Sequence, residues 1–237
     1  LGGRAVRVGV WPIGVDIEVL RGAASRGQAA AELTLPRIDT DDAPLIVGVD
    51  RLQLSKGLES RLRGYARLLD DVTAPPRRPA CLQVIATPTA EAPAQSALRS
   101  RLRNIVAGFR IREADAFYPP LQLLERTLPH ADALALLRRA HIACVTPLRD
   151  GMNLVAKEFI AVQDPADPGV LVLSRHAGAA AELTASLRVD PADPTAIAAA
   201  LRQALTMPRG ERRARHASML APQRRQDLAA WHRGFLG

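Results

Sequence analysis

Aromatic residues make up only 3% of this 237-residue sequence. Proteins that bind single-stranded nucleic acid stack bases on aromatic side chains, so this scarcity argues against that class although the net charge is +8. There is no Cys-x-x-Cys zinc spacing, and the many arginines are dispersed along the chain. We therefore expect a solvated basic surface rather than a nucleic-acid partner, with Arg61, Arg63 and Arg67 on the polar face of a helix.

Cysteine and long apolar runs are also scarce. The two cysteines, Cys81 and Cys144, lie far apart and each within an apolar stretch, which predicts buried free thiols rather than a disulfide. No apolar stretch approaches the roughly 20 residues that span a bilayer, and no signal peptide opens the chain. We expect a cytoplasmic protein with no membrane partner.

Lysine is nearly absent. Of the 32 basic residues, only Lys56 and Lys157 are lysine. A compact ammonium fits anion pockets that a planar guanidinium cannot enter. The segments around these two lysines are therefore candidates for an anion site.

Short apolar strands alternate with amphipathic helices along the chain, which predicts an α/β fold with a Rossmann-like, doubly wound parallel sheet. The strand candidates are residues 6–11, 45–49, 82–86, 141–146, 170–174 and 186–189. The helix candidates are residues 57–70, 94–107, 131–140, 154–162, 195–205, 211–220 and 227–235. In such a fold, ligands bind at the carboxyl ends of the strands.

Two cations follow the strand candidate at 45–49. Arg51 and Lys56 stand in the strand-to-helix turn, and Gly57 follows them at the start of a helix. Positive side chains beside the free N–H groups of a helix start are typical of a phosphate site. From these residues alone, surface charges near a helix start remain the alternative.

A second pattern follows the strand candidate at 141–146. Asp150 and Gly151 predict a tight turn, and Asn153 is placed as the N-cap or first residue of the next helix. The backbone N–H groups of residues 152–155 would then face the same sheet edge as Arg51 and Lys56. Glu158, one turn into the helix, could accept hydrogen bonds from a ribose diol, so the pattern predicts a nucleotide ligand.

At these positions the sequence resembles the trehalose-6-phosphate synthase family, specifically its C-terminal, donor-binding half. The similarity in order and spacing extends over residues 11–16, 49–58, 145–158, 177–180 and 204–216. Its most specific part is the block Asp150-Gly151-Met152-Asn153-Leu154-Val155-Ala156-Lys157-Glu158. The resemblance implies the C-terminal domain of a GT-B glycosyltransferase.

The resemblance also implies an activity, the transfer of glucose from UDP-glucose to glucose 6-phosphate. The transfer would proceed with retention and without a metal ion or other cofactor. It gives Arg51 and Lys56 catalytic roles, because they would bind the diphosphate and stabilise the departing UDP. The other implied donor contacts are the Leu128 backbone to uracil, Asp150, Gly151, Met152 and Asn153 to the glucose hydroxyls, Leu154 and Val155 to phosphate, and Glu158 to ribose. Lys157 is expected to face away from the ligand and to pair within its helix.

Three departures from the family pattern bear on activity. Gln53 and Leu54 replace the usual Asp-Tyr pair, and Thr89 stands where an arginine near the substrates' phosphates is expected. The stretch at 105–109 is also altered. A weakened catalyst, or a non-catalytic nucleotide-binding remnant, is therefore one alternative; a related GT-B synthase with another acceptor, of the glucosylglycerol-phosphate type, is the other.

The resemblance divides the chain into three parts. Residues 1–40 are expected to form an interdomain connection with the first strand, 41–222 the nucleotide-sugar-binding domain, and 223–237 a helix that packs toward an N-terminal domain. No segment matches that N-terminal domain, which carries the glucose 6-phosphate site. We expect this chain to supply the donor site only and to be inactive alone, whereas the full-length protein could form a homo-oligomer.

Overall fold

A computed structural model shows the architecture of the chain and describes residues 8–27, 43–70, 79–88, 90–112 and 120–236. The strands are β1 Leu45–Arg51, β2 Ala80–Ala86, β3 Leu121–Glu125, β4 Ile142–Val145, β5 Val170–Ser174 and β6 Leu187–Val189. The helices are α1 Ile17–Arg26, α2 Leu58–Asp70, α3 Pro93–Arg112, α4 His130–Arg139, α5 Leu154–Val162, α6 Pro194–Leu205, α7 Arg209–Arg225 and α8 Leu228–Leu236.

The six strands form one parallel sheet in the order β3-β2-β1-β4-β5-β6. The chain builds outward from β1 to β3 on one side and from β4 to β6 on the other. Adjacent β1 and β4 therefore flank the switch point, where the crevice of a doubly wound sheet opens. The predicted fold class is confirmed.

Helices cover both faces of the sheet. One face packs against α1, α4 and α5, with residues such as Leu134 and Phe159 fully buried. The other packs against α2, α3 and α6, with residues such as Leu62 and Ile197 fully buried. Because successive side chains of β1 point to opposite faces, both layers need apolar residues, and this explains the continuously apolar strands.

One predicted strand is wrong. Residues 8–11 form no strand, and residues 6 and 7 lie outside the described residues. Val8 and Val10 are 87% and 90% exposed. An apolar run forms a strand only where a neighbouring strand can pair with it, and the described part of the sheet offers none there.

Two elements were missed. Strand β3 lies at the sheet edge, where it pairs with β2, and its Leu-Gln-Leu-Leu-Glu sequence lacks a continuous apolar run. Helix α1 begins after Asp16, whose side chain caps it by accepting a hydrogen bond from Val19 N at 3.0 Å. All seven predicted helices are present, and α5 has the predicted bounds.

The prediction for Arg61 is also wrong. Arg63 and Arg67 are exposed, but Arg61 is only 2% exposed because carboxylate, amide and hydroxyl partners surround it. Cys81 and Cys144 are buried free thiols, as predicted. None of the helices in the described ranges has the length and apolar character of a bilayer-spanning helix.

Candidate functional site

A cleft of about 770 Å³ opens at the carboxyl ends of β1 and β4. It is lined by Val49, Asp50, Arg51, Lys56, Ala86, Asp150, Gly151, Met152, Asn153, Leu154, Val155 and Glu158. A hollow of about 800 Å³ lies along α7, away from the strand ends, with exposed Arg213 and Arg224 on its wall. The cleft at the switch point is the better candidate because it combines strand ends, cations and a helix start.

The turn after β1 brings Lys56 to the cleft. The chain leaves Arg51 through a 3₁₀ turn, Leu54–Lys56, and reaches Gly57 in the left-handed conformation with φ 64°. A Cβ at Gly57 would lie 2.2 Å from the Thr146 carbonyl oxygen, so glycine is needed both for the backbone angle and for the close approach to β4. The Leu148 N–H then donates to Ser55 O at 2.8 Å and fixes the turn against the loop after β4.

The start of α5 forms the opposite wall. Asn153, with φ 76°, is the N-cap and accepts a hydrogen bond from Ala156 N at 3.1 Å, which confirms the predicted cap. Asp150 accepts from Met152 N at 3.4 Å and from Asn153 Nδ2 at 3.2 Å. The first N–H groups of α5 have no intrahelical acceptor and carry the positive end of the helix dipole, so they favour an anion.

Lys56 and Asp150 couple the two walls. Lys56 Nζ lies 2.5 Å from Asp150 Oδ2. Burial acts to raise the pKa of the Asp150 carboxyl, but the hydrogen bond and charge of Lys56, together with hydrogen bonds from Met152 and Asn153, lower it. The two walls are therefore held together by an ionised pair.

Arg51 is the open cation of the cleft. Its side chain is exposed and makes no hydrogen bond or ion pair with the residues that the structure describes. An anion in the cleft could therefore bind Arg51 without breaking a contact to any residue that the structure describes. The same anion would have to share Lys56 with Asp150.

Glu158 also lines the cleft, one helical turn into α5. Its Oε1 is 2.8 Å from Nε2 of His130, the first residue of α4. This contact between His130 and Glu158 was not predicted from the sequence. The signal in the sequence that could have indicated this contact is the position of His130 at a helix start, just after Leu128 and Pro129.

The whole chain, residues 1–237, matches the profile of Glycosyltransferase family 20. The chain belongs to this family. Similar relatives include the trehalose-6-phosphate synthases of Citrobacter koseri, 38% identical over 234 residues, and Cronobacter sakazakii, 37% identical over 234 residues. Each alignment covers 99% of this chain and 49% of the relative, so the chain spans about half the length of the curated relatives it matches.

Solved structures of similar sequence agree with this family assignment. An alpha,alpha-trehalose-phosphate synthase (UDP-forming) from Burkholderia xenovorans, in complex with glucose 6-phosphate, is 39% identical with a TM-score of 0.91, covering 99% of this chain and 51% of that one. A solved structure from E. coli, bound with UDP-2-fluoro glucose, is 37% identical with a TM-score of 0.92, covering 99% of this chain and 52% of that one.

The cleft of this family 20 chain collects every predicted site residue except Leu128. Leu128 does not line the cleft, and its side chain packs, partly buried, against the apolar layer that contains α4 and α5. The roles assigned to all these residues stay predictions. Thr89, where an arginine was expected, lies outside the described residues.

Lys157 faces away from the cleft, as expected, but its predicted pairing within α5 is wrong. Its ammonium is buried and donates to Ile13 O at 2.8 Å. Its ion-pair partner is Glu182, at 2.8 Å, which lies beyond the 3₁₀ turn that follows β5. The reason is that other segments cross the far side of α5 and supply closer acceptors than the helix itself.

Proposed function

We propose that this chain supplies the donor site of a retaining glucosyltransferase, which moves glucose from UDP-glucose to glucose 6-phosphate and yields trehalose 6-phosphate and UDP. One observation carries the proposal. The open cation Arg51, the shared cation Lys56 and the first N–H groups of α5 line a single cleft at the switch point. That arrangement complements the negative charge of a diphosphate.

Breaking the bond between glucose and UDP leaves negative charge on the diphosphate. Positive groups fixed before the reaction stabilise this charge most effectively, because they need not reorganise. Binding of a diphosphate would draw Lys56 partly away from Asp150 Oδ2, now 2.5 Å from it. The freed carboxylate would accept hydrogen bonds from the glucose hydroxyls, together with the backbone of residues 151–153.

The remaining donor contacts are those that the family resemblance implies. Leu154 and Val155 would donate N–H groups to phosphate, Glu158 would accept from ribose, and the Leu128 backbone would contact uracil. Glucose 6-phosphate would bind the N-terminal half of a full-length protein, since this chain corresponds to half of its relatives. We retain the division of the chain at residues 1–40, 41–222 and 223–237 as part of this proposal. A cytoplasmic location is also part of it, and the buried free thiols of Cys81 and Cys144 support that location.

Calorimetric titration of the 237-residue chain with UDP tests the proposal. We expect millimolar or tighter binding, and we expect Lys56→Ala to weaken it by about tenfold or more, because a charge-assisted bond is lost and the charge of Asp150 is left without its cation. The matched control is Arg63→Ala, which removes an exposed cation that is paired with Glu59 on α2. Absence of UDP binding, or equal binding by Lys56→Ala, would overturn the proposal.

A further inference from the structure

A buried ion pair lies beneath the cleft. The side chains of Arg61 on α2 and Asp50 on β1 are 2% and 4% exposed, and Arg61 Nη1 donates to Asp50 Oδ2. Nη1 also donates to Gln83 Oε1 at 3.0 Å. Buried ion pairs are weak contributors to stability, because desolvation offsets their attraction, so this pair calls for another explanation.

The other Arg61 nitrogens contact the walls of the cleft. Nη2 donates to the Lys56 carbonyl oxygen at 3.2 Å, and Nε donates to Thr146 Oγ1 at 3.0 Å. Thr146 follows β4 and leads into the loop that carries Asp150. One planar guanidinium thus joins the β1 end, the Lys56 turn and the β4 end, which a lysine could not do with a single ammonium.

The sequence leaves room for this arrangement at Gly48 in β1. A Cβ at Gly48 would lie 2.8 Å from Arg61 Nη1 and 2.4 Å from Gln83 Oε1. Both atoms belong to the buried network. A larger residue in β1 would therefore displace the guanidinium from Asp50.

The charge of Asp50 matters because this residue also lines the cleft. Burial raises the pKa of its carboxyl, and the charge and hydrogen bond of Arg61 limit that rise. Lys56 is the other cation that acts on Asp50. Without Arg61, the carboxylate would attract Lys56 or repel an anionic ligand.

We infer that Arg61 is a positioning residue for the diphosphate site, which neutralises Asp50 beneath the cleft and so keeps Lys56 available to the ligand. The inference rests on the proposed function, since it requires that the cleft bind a diphosphate. The inferred role of Arg61 differs from a general packing role in one respect. The harm done by removing Arg61 should depend on the negative charge of Asp50.

The test is calorimetric titration of UDP into Arg61→Met and into Arg61→Met/Asp50→Asn. We expect Arg61→Met to weaken UDP binding by about tenfold or more, and the added Asp50→Asn to restore it to within about threefold of the wild type. Leu68→Ala, at a fully buried position on the same helix, is the control for lost packing. It should lower the midpoint of urea unfolding while UDP binding stays unchanged.

Wild-type affinity in Arg61→Met, or a double variant that binds as weakly as the single one, would overturn the inference. If Arg61→Met does not fold, Arg61→Lys replaces it, because an ammonium still neutralises Asp50. We then expect affinity within about fivefold of the wild type, and complete loss would contradict the charge role. A wild-type chain that does not bind UDP would refute the proposed function itself, whereas binding that is lost in Lys56→Ala and kept in Arg61→Met would refute only this inference.

Discussion

Among the described residues, one oxygen of the Glu158 carboxylate has a hydrogen-bonding partner and the other has none. Oε1 is 2.8 Å from His130 Nε2, while Oε2 makes no hydrogen bond within the described residues. The Glu158 side chain is 16% exposed, so its position is fixed by packing and by His130 together. This leaves Oε2 free to accept from a ribose hydroxyl.

Glu158→Gln should therefore reduce the discrimination between UDP and its 2′,3′-dideoxy analogue. In the wild type we expect UDP to bind about tenfold more tightly, since hydrogen bonds to a charged acceptor contribute about 1.5–3 kcal/mol. In Glu158→Gln the ratio should fall to about threefold or less. Glu211→Gln, at an exposed position on α7, is the control, and an unchanged ratio in Glu158→Gln would contradict the role in ribose binding.

Residues whose partners are near in sequence were predictable, and those with distant partners were not. Asn153 caps a helix through an atom three residues away, so its local pattern predicts the contact. Arg61 bonds Thr146 across 85 residues, and His130 meets Glu158 across 28. Helical periodicity placed Arg61 on a polar face because nothing in its own helix indicates a buried acceptor.

At the scale of elements, a histidine joins the beginnings of β1 and β4. His141 Nδ1 accepts a hydrogen bond from Leu45 N at 3.0 Å, which requires that nitrogen to carry no proton. Burial lowers the pKa of His141, and the positive charge of Arg212 lowers it further. The folded protein therefore binds a proton at His141 more weakly than the unfolded chain does.

Stability should decline in mild acid for this reason. The contribution of His141 is fully present above the unfolded pKa, about 6.5, and is lost as the pH falls below it, by at most about 1.4 kcal/mol per pH unit. Urea unfolding at pH 8 and pH 5.5 measures the loss. His141→Asn keeps an acceptor that does not titrate and should reduce the loss, whereas His232→Asn on exposed α8 should not. Equal losses in all three proteins would contradict the assignment.

Strands, like residues, were predictable where the signal is local in the sequence and were not where it depends on a distant partner. Strands β1, β4 and β5 lie inside the sheet and are buried on both faces, so continuous apolar runs predict them. Strand β3 pairs at the edge and carries Gln122 and Glu125, and no run of that kind reveals it. Strand β3 is defined by its pairing with β2, which the local pattern does not contain.

At the scale of the whole molecule, an aromatic cluster of Trp11, Trp231 and Phe235 lies outside the two apolar layers. Trp231 stacks on Phe235 at 5.2 Å between ring centroids, and Trp231 Nε1 donates to Trp11 O at 3.0 Å. Helix α8 has no buried residue, and Trp11 and Phe235 are 48% and 55% exposed. The cluster therefore has little packing that ties it to the sheet.

Both tryptophans of the sequence belong to this cluster, so tryptophan fluorescence reports on it and not on the sheet. Because segments with few buried contacts open at lower free energy than the core, the fluorescence transition in urea should precede the loss of circular dichroism at 222 nm. Phe235→Ala should move the fluorescence midpoint to lower urea and leave the dichroism midpoint unchanged. Coincident transitions would mean that α8 folds together with the sheet. The boundary predicted at residue 223, which falls within α7, would then not separate two independently stable parts.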